Sequence, residues 1–185
     1  MELFGSLTSP FVRHCRIALM QGSIPWTFVP TDYAASAAKS PTKKVPFLSD
    51  GDKTFTDSSS ILAYVRAKQG LTFLADAEDW ERYASANTVL DAAINLFLLE
   101  KDGLGTEVPY LARQSSRVQS GLQYLNERAG SFANDRDDAA IRIACLLDWG
   151  RFRNRFGLNN YPHLQGFLIE ANTWDLFRET APPTN

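Results

Sequence analysis

Three short stretches of this chain carry residue types that can do chemistry. The first is Thr8-Ser9-Pro10-Phe11-Val12-Arg13. Pro10 suits the first position of a helix and Ser9 its N-cap. A hydroxyl there stands beside free backbone N–H groups and the positive end of the helix dipole, which favour negative charge. Ser9 can donate a hydrogen bond to a bound thiolate, the nucleophilic form of a thiol. Lowering a thiol pKa by one unit takes about 1.4 kcal/mol, and one hydrogen bond to a charged group supplies roughly 1.5–3 kcal/mol. A serine and a helix end therefore suffice without a general base. Thr8, one residue away, is the rival for this role. Taken by itself, Ser9 is an ordinary helix cap.

The second stretch is Lys44-Val45-Pro46-Phe47-Leu48. A proline entering a strand cannot donate to the ladder and belongs at an edge or a strand start. If the Val45–Pro46 bond is cis, the backbone N–H and C=O of Val45 turn outward and can pair with a peptide ligand as a short added strand. The third is Asp57-Ser58-Ser59-Ser60. Ser58 at a helix start offers a hydroxyl and free N–H groups to a carboxylate, and Asp57 offers charge to an ammonium. The pair matches the end of a free α-amino acid. In isolation each of these two stretches also reads as plain structure, an edge proline and a helix cap.

Other polar residues carry less. His14 sits between Arg13 and Arg16 and reads as part of a solvated helix face. Cys15 and Cys145 lie on apolar helix faces as inert core thiols, too few and too far apart for a disulfide framework or a zinc site. Asn87, Asp91 and Asn95 form a polar stripe at a spacing of four on a long helix.

The elements that must position these groups follow from the apolar pattern. Residues 2–5 read as a strand and Val12, Cys15, Ile17, Ala18 and Leu19 as a helix stopping near Gly22. Residues 26–29 alternate like a strand, residues 32–44 read as a loop with room for one helical turn, and 45–48 and 53–55 form a hairpin around Asp50-Gly51-Asp52. Asp57 or Ser58 caps a helix carrying Ile61, Leu62 and Val65. The order strand, helix, strand, loop, hairpin, helix is that of a thioredoxin-like unit. After residue 75 no convincing strand remains. Helices are expected at 76–101, 106–129, 137–156 and from Pro162 through Glu170, with another turn at 172–179. The helix at 137–156 is apolar nearly all round and should be the buried axis of its domain. Asn134 and Asp137 have capping-box spacing at its start.

The chain has 185 residues and a formal net charge of -2, which gives no basic surface for nucleic acid. No apolar run reaches the ~18 residues of a membrane span, and the opening residues read as a strand rather than a signal peptide. The expectation is a soluble cytoplasmic protein.

In this order and spacing the three stretches are far more specific than any one alone. "TSPFVRHCRIAL", "KKVPFLSDG" and "FTDSSSILAYV" resemble the thioredoxin-fold half of the glutathione transferase superfamily, in the flavour of serine-type enzymes with a Ser-Pro-Phe start, such as tau-like plant and short bacterial members. The resemblance implies an α+β protein: a thioredoxin-like N-terminal domain with a mixed four-stranded sheet (residues 1–72) and an all-α C-terminal domain (residues 76–185). It implies Ser9 as the residue that stabilises the glutathione thiolate, Val45 before a cis Pro46 as the partner of the cysteinyl backbone, and Asp57 and Ser58 as holders of the γ-glutamyl end. Lys44, with Lys43 less directly, would stand near the glycine carboxylate. It further implies glutathione as co-substrate, no metal, a small apolar electrophile as second substrate, and a twofold homodimer. Helical phase suggests Tyr83, Asn87, Trp149 and Phe152 for the wall of the electrophile pocket. A tyrosine-type mechanism is not expected, since no tyrosine follows the first strand, nor is thiol–disulfide work, since Ser9-Pro10-Phe11-Val12 replaces a redox cysteine pair. The alternatives are a non-catalytic protein-interaction module on the same fold and a glutathione-dependent peroxidase or reductase.

Overall fold

The computed structural model describes residues 1–105, 107–131 and 136–183. The chain divides into two compact units, Met1–Phe73 with Asn172–Asn185, and Leu74–Ala171.

In the first unit β1 (Glu2–Gly5) lies beside β2 (Thr27–Pro30) in parallel and β3 (Phe47–Asp50) antiparallel, and β4 (Lys53–Phe55) pairs antiparallel with β3, giving the order β2-β1-β3-β4. Two parallel neighbours need a crossover, and α1 (Pro10–Met20) supplies it. The short helix α2 (Tyr33–Lys39) follows β2, and α3 (Ser58–Lys68) follows β4 and packs on α1. Leu3, Val12, Cys15, Leu48, Ile61, Leu62 and Val65 are all 0% exposed and form the core between sheet and helices.

The mixed four-stranded sheet is as the sequence leads one to expect, with two shifts. The strand expected at 45–48 begins at Phe47, because Pro46 has no N–H for the ladder. Where a loop with at most one helical turn is expected over 32–44, the chain forms the 7-residue helix α2. Its sequence, Tyr-Ala-Ala-Ser-Ala-Ala-Lys, is rich in the best helix former, and the Asp32 carboxylate accepts from the Ala35 N–H at 2.8 Å to cap it.

The second unit is helical: α4 (Ala77–Lys101), α5 (Pro109–Arg128), α6 (Asp138–Phe152) and α7 (Pro162–Ala171). The α6 helix packs on α4 and α7, and every residue from Asp138 to Gly150 is buried, as its all-round apolarity predicts. Asp137 is itself the N-cap of α6, accepting from the Ala140 N–H at 2.7 Å and from Arg82 at 2.8 Å. Asn134, expected to share that cap, lies outside the described residues.

The last helix, α8 (Asp175–Glu179), corrects the expected domain boundary. Residues from Asn172 on group with the first unit rather than with the helical domain of 76–185. The guanidinium of Arg13 on α1 donates to the Phe177 carbonyl at 2.6 Å and to Thr180 Oγ1 at 3.4 Å, and lies 3.6 Å from the centroid of the Phe177 ring. Arg16 donates to the Thr180 carbonyl at 3.3 Å.

Candidate active site at one edge of the sheet

Register alone brings the three stretches together. Phe4 pairs with Phe47 across β1 and β3, and Leu48 with Phe55 across β3 and β4. The end of β1, the start of β3 and the end of β4 therefore meet at one edge of the sheet. Ser9, Pro46 and Asp57 each lie a few residues beyond those strand ends. The rings of Phe4 and Phe47 stack at 4.3 Å and hold the first two of these ends together.

At the first end, the turn before α1 is tied by its own hydroxyls. The Ser9 N–H donates to the Ser6 carbonyl at 3.1 Å, the Thr8 N–H to Ser6 Oγ at 3.3 Å, and the Ser6 and Thr8 hydroxyls share a hydrogen bond at 3.0 Å. Ser9 is the N-cap of α1, its Oγ accepting from the Val12 N–H at 3.4 Å. Used as an acceptor there, the Ser9 hydroxyl keeps its proton for donation to a ligand. Thr8 is already engaged with Ser6, so Ser9 is the freer of the two. Gly5 makes the tight return possible. A Cβ there would lie 2.5 Å from a methyl of Val12, which is 0% exposed and has nowhere to go. Glycine at this position sets how closely α1 approaches β1.

At the second end, the Val45–Pro46 peptide bond is cis. Val45 precedes the ladder, which starts at Phe47. Lys43 just before it has φ 54 and Lys44 is exposed.

At the third end, Asp57 rather than Ser58 caps α3. Its Oδ1 accepts from the Ser59 N–H at 2.8 Å, and its Oδ2 stands 3.8 Å from Lys44 Nζ. Ser58 is the first helical residue and is only 5% exposed, with its carbonyl accepting from the buried Cys15 thiol at 4.0 Å. Lys44 and Asp57 were expected at opposite ends of a tripeptide, yet they face each other. Both are more than half exposed, and a pair of this kind is worth roughly 0–1 kcal/mol. Lys44 is thus free to swing to a carboxylate elsewhere on a bound ligand.

The solvated face expected around His14 does not exist. His14 is 0% and Arg13 4% exposed, and α8 meets Arg13 directly through the Phe177 carbonyl. Burial, and then the neighbouring Arg13 charge, push the Arg16 guanidinium pKa down. No local signal in residues 1–73 points to this contact, which arrives from the far end of the chain. Cys15 and Cys145 are buried and carry no disulfide, in keeping with core thiols.

The four residues suggested for the electrophile pocket are placed unevenly within the second unit. Tyr83 is 2% exposed, and its hydroxyl accepts from Arg142 at 2.7 Å; Trp149 is 5% exposed, edge-on to Phe97. Both are core residues of the helical unit. Asn87 and Phe152 are half-buried; Asn87 Oδ1 is buried with no hydrogen-bond partner, and the Phe152 ring lies under Arg153 at 4.6 Å. Asp91 and Asn95, further along the polar stripe, are exposed.

Residues 3–73 match the family model of the glutathione S-transferase N-terminal domain. No curated protein matches the chain. Among solved structures, a glutathione S-transferase from Methylobacillus flagellatus KT with glutathione bound is similar at 22% identity, TM-score 0.86, covering 98% of this chain and 99% of that one. A glutathione transferase family member from Pseudomonas fluorescens Pf-5, also with bound glutathione, is similar at 23% identity and TM-score 0.86, covering 99% of both chains. A maleylacetoacetate isomerase from Methylobacterium extorquens AM1 with bound malonate and glutathione matches at 22% identity and TM-score 0.70, covering 98% of this chain and 96% of that one. These likenesses show a shared fold. Among the described residues no helix is long and apolar enough to cross a membrane.

Proposed function

We propose that this chain is a member of the glutathione transferase superfamily, whose N-terminal domain model it matches over residues 3–73, and that it conjugates the thiolate of glutathione to a small apolar electrophile. The observation that carries the reading is the convergence of the Ser9 cap, the cis Val45–Pro46 pair and the Asp57–Ser58 helix start on one sheet edge. In this reading Val45 takes the cysteinyl backbone, Asp57 the γ-glutamyl ammonium and Ser58 its carboxylate, and Lys44 leaves Asp57 for the glycine carboxylate. The glutathione sulfur then stands at the N-terminus of α1. Ser9 accepts from Val12 and donates to the sulfur, so the thiolate gains a charge-assisted hydrogen bond and the helix-end field together. Against a free thiol pKa of about 8.5, roughly 1.5–3 kcal/mol lowers the pKa by about one to two units. The thiolate forms the new C–S bond at the electrophilic carbon, and the leaving group departs with the electron pair it shared. The protein acts as a twofold homodimer in the cytoplasm.

The test is a glutathione titration of the transfer rate to a nitroaryl chloride, with a thermal shift in millimolar glutathione as the binding readout. A ligand at 100 times its dissociation constant adds about 2.7 kcal/mol, so wild type should shift upward. Ser9→Ala should keep that shift, lose turnover at least tenfold and raise the apparent pKa of the bound thiol. No shift in wild type would move the chain to the interaction-module reading. The same loss in Thr8→Ala but not Ser9→Ala would transfer the role to Thr8.

A further inference from the structure

In the helical unit the C-terminal ends of α4 and α6 gather positive charge around one aromatic ring. The Arg153 guanidinium lies 5.3 Å from the Phe97 centroid, Arg155 5.7 Å and the Lys101 ammonium 5.8 Å. Arg153 also covers the half-buried Phe152 ring. Part of this has a plain cause, since cations are favoured at helix C-termini and over aromatic faces. Two features go beyond it. Three like charges around one ring repel one another, and among the described residues the single carboxylate paired with any of them is Glu100, bound to Arg155. Moreover, Arg153 Nε is buried with no hydrogen-bond partner, although a buried charged donor is normally satisfied.

We propose that this cluster binds a small aromatic carboxylate, with Arg153 as its anchor. The planar guanidinium fork matches a carboxylate edge, which would give Arg153 Nε its missing acceptor. Lys101, exposed and in no ion pair among the described residues, adds the second charge. The half-buried rings of Phe97 and Phe152 give an aryl group apolar contact that a bare inorganic anion does not use. The site stands independently of the glutathione reading, because its residues all belong to the helical unit.

The experiment is calorimetric titration at low salt, without glutathione, using benzoate, benzyl alcohol and inorganic phosphate. Benzoate is expected to bind, with phosphate at least tenfold weaker and benzyl alcohol weaker still. Arg153→Gln should weaken benzoate about tenfold or more, the scale of one hydrogen bond to a charged group. Lys101→Gln should weaken it two- to threefold, and Glu100→Gln should tighten it by a similar factor through release of Arg155. These last two changes are on exposed residues and keep the test decisive where Arg153→Gln does not fold. Benzoate affinity unmoved by all the soluble variants would overturn the proposal. So would benzyl alcohol or phosphate binding as tightly as benzoate.

Discussion

Helices α1 and α6 are both buried on nearly every side, yet they achieve it by opposite means. In α6 the chain spells out its burial. Ile141, Ile143, Ala144, Cys145, Leu146 and Leu147 leave no polar face, the charged residues being Asp138, Arg142, Asp148 and Arg151 alone. In α1 the run Arg13, His14 and Arg16 reads in sequence as a solvated surface. Arg13 is instead buried, and α8 returns from late in the chain to meet it with a carbonyl, a hydroxyl and an aromatic face. An apolar helix announces that it will be covered. A cationic one is covered only when a distant segment brings acceptors, and no local pattern reports that.

The largest effect that would sharpen this contrast is expected at Phe177, which is 1% exposed on α8. Phe177→Ala should cost about 3–5 kcal/mol in denaturant unfolding, as a large buried aromatic does. A loss under about 1 kcal/mol would mean that α8 merely rests on α1. Next comes the approach of α1 to β1. Gly5→Ala should cost roughly 1–3 kcal/mol by overpacking against Val12. The same change in a Val12→Ala background should cost clearly less, and equal costs in the two backgrounds would mean that the contact does not set the helix position. In α6 the comparable test is Tyr83→Phe, which takes the hydroxyl acceptor from the fully buried Arg142. The expected cost, about 1–3 kcal/mol, is read by the same unfolding curves.

The smallest effect lies on the surface of the first unit, where Asp50 accepts from Tyr64 at 2.7 Å and pairs with Lys68 at 2.6 Å. The Lys68 hydrogen bond, and then that of Tyr64, hold the Asp50 carboxyl below its usual range, and Asp50 in turn raises Lys68. A carboxyl lowered on folding stabilises above its unfolded pKa and loses that contribution as pH falls through the folded value. A raised lysine loses its contribution as pH rises through its own. The melting-temperature gap between wild type and Asp50→Asn should therefore be small, widest near neutrality, and closed at both acid and alkaline ends. A gap that stays constant with pH would mean that the cluster is not electrostatic.

Most of the candidate site was legible because each part of it is local. A serine before proline caps a helix, a proline delays a strand by its missing N–H, and an aspartate caps the next helix. The sheet register that unites them followed from element order. The pocket residues were less legible. Helical phase tells which side of α4 and α6 a residue occupies, not whether a neighbouring helix closes over it, and Tyr83 and Trp149 turned out to face the interior of their own unit. The pairing of Lys44 with Asp57 was also invisible, since 13 residues separate them in sequence and the hairpin alone brings them together.

The return of α8 also gives the protein a timetable. During synthesis, residues 1–73 emerge with every strand of the sheet already made, but the partner of Arg13 is still about 100 residues away. At roughly 5–20 residues per second a ribosome needs about 5–20 s to reach it. For that interval Arg13 on α1 lacks the carbonyl, hydroxyl and ring that α8 supplies. The helical unit, whose residues are continuous, has no such wait. Completion of the sheet-bearing unit therefore comes after synthesis of the helical unit, although its strands are made first.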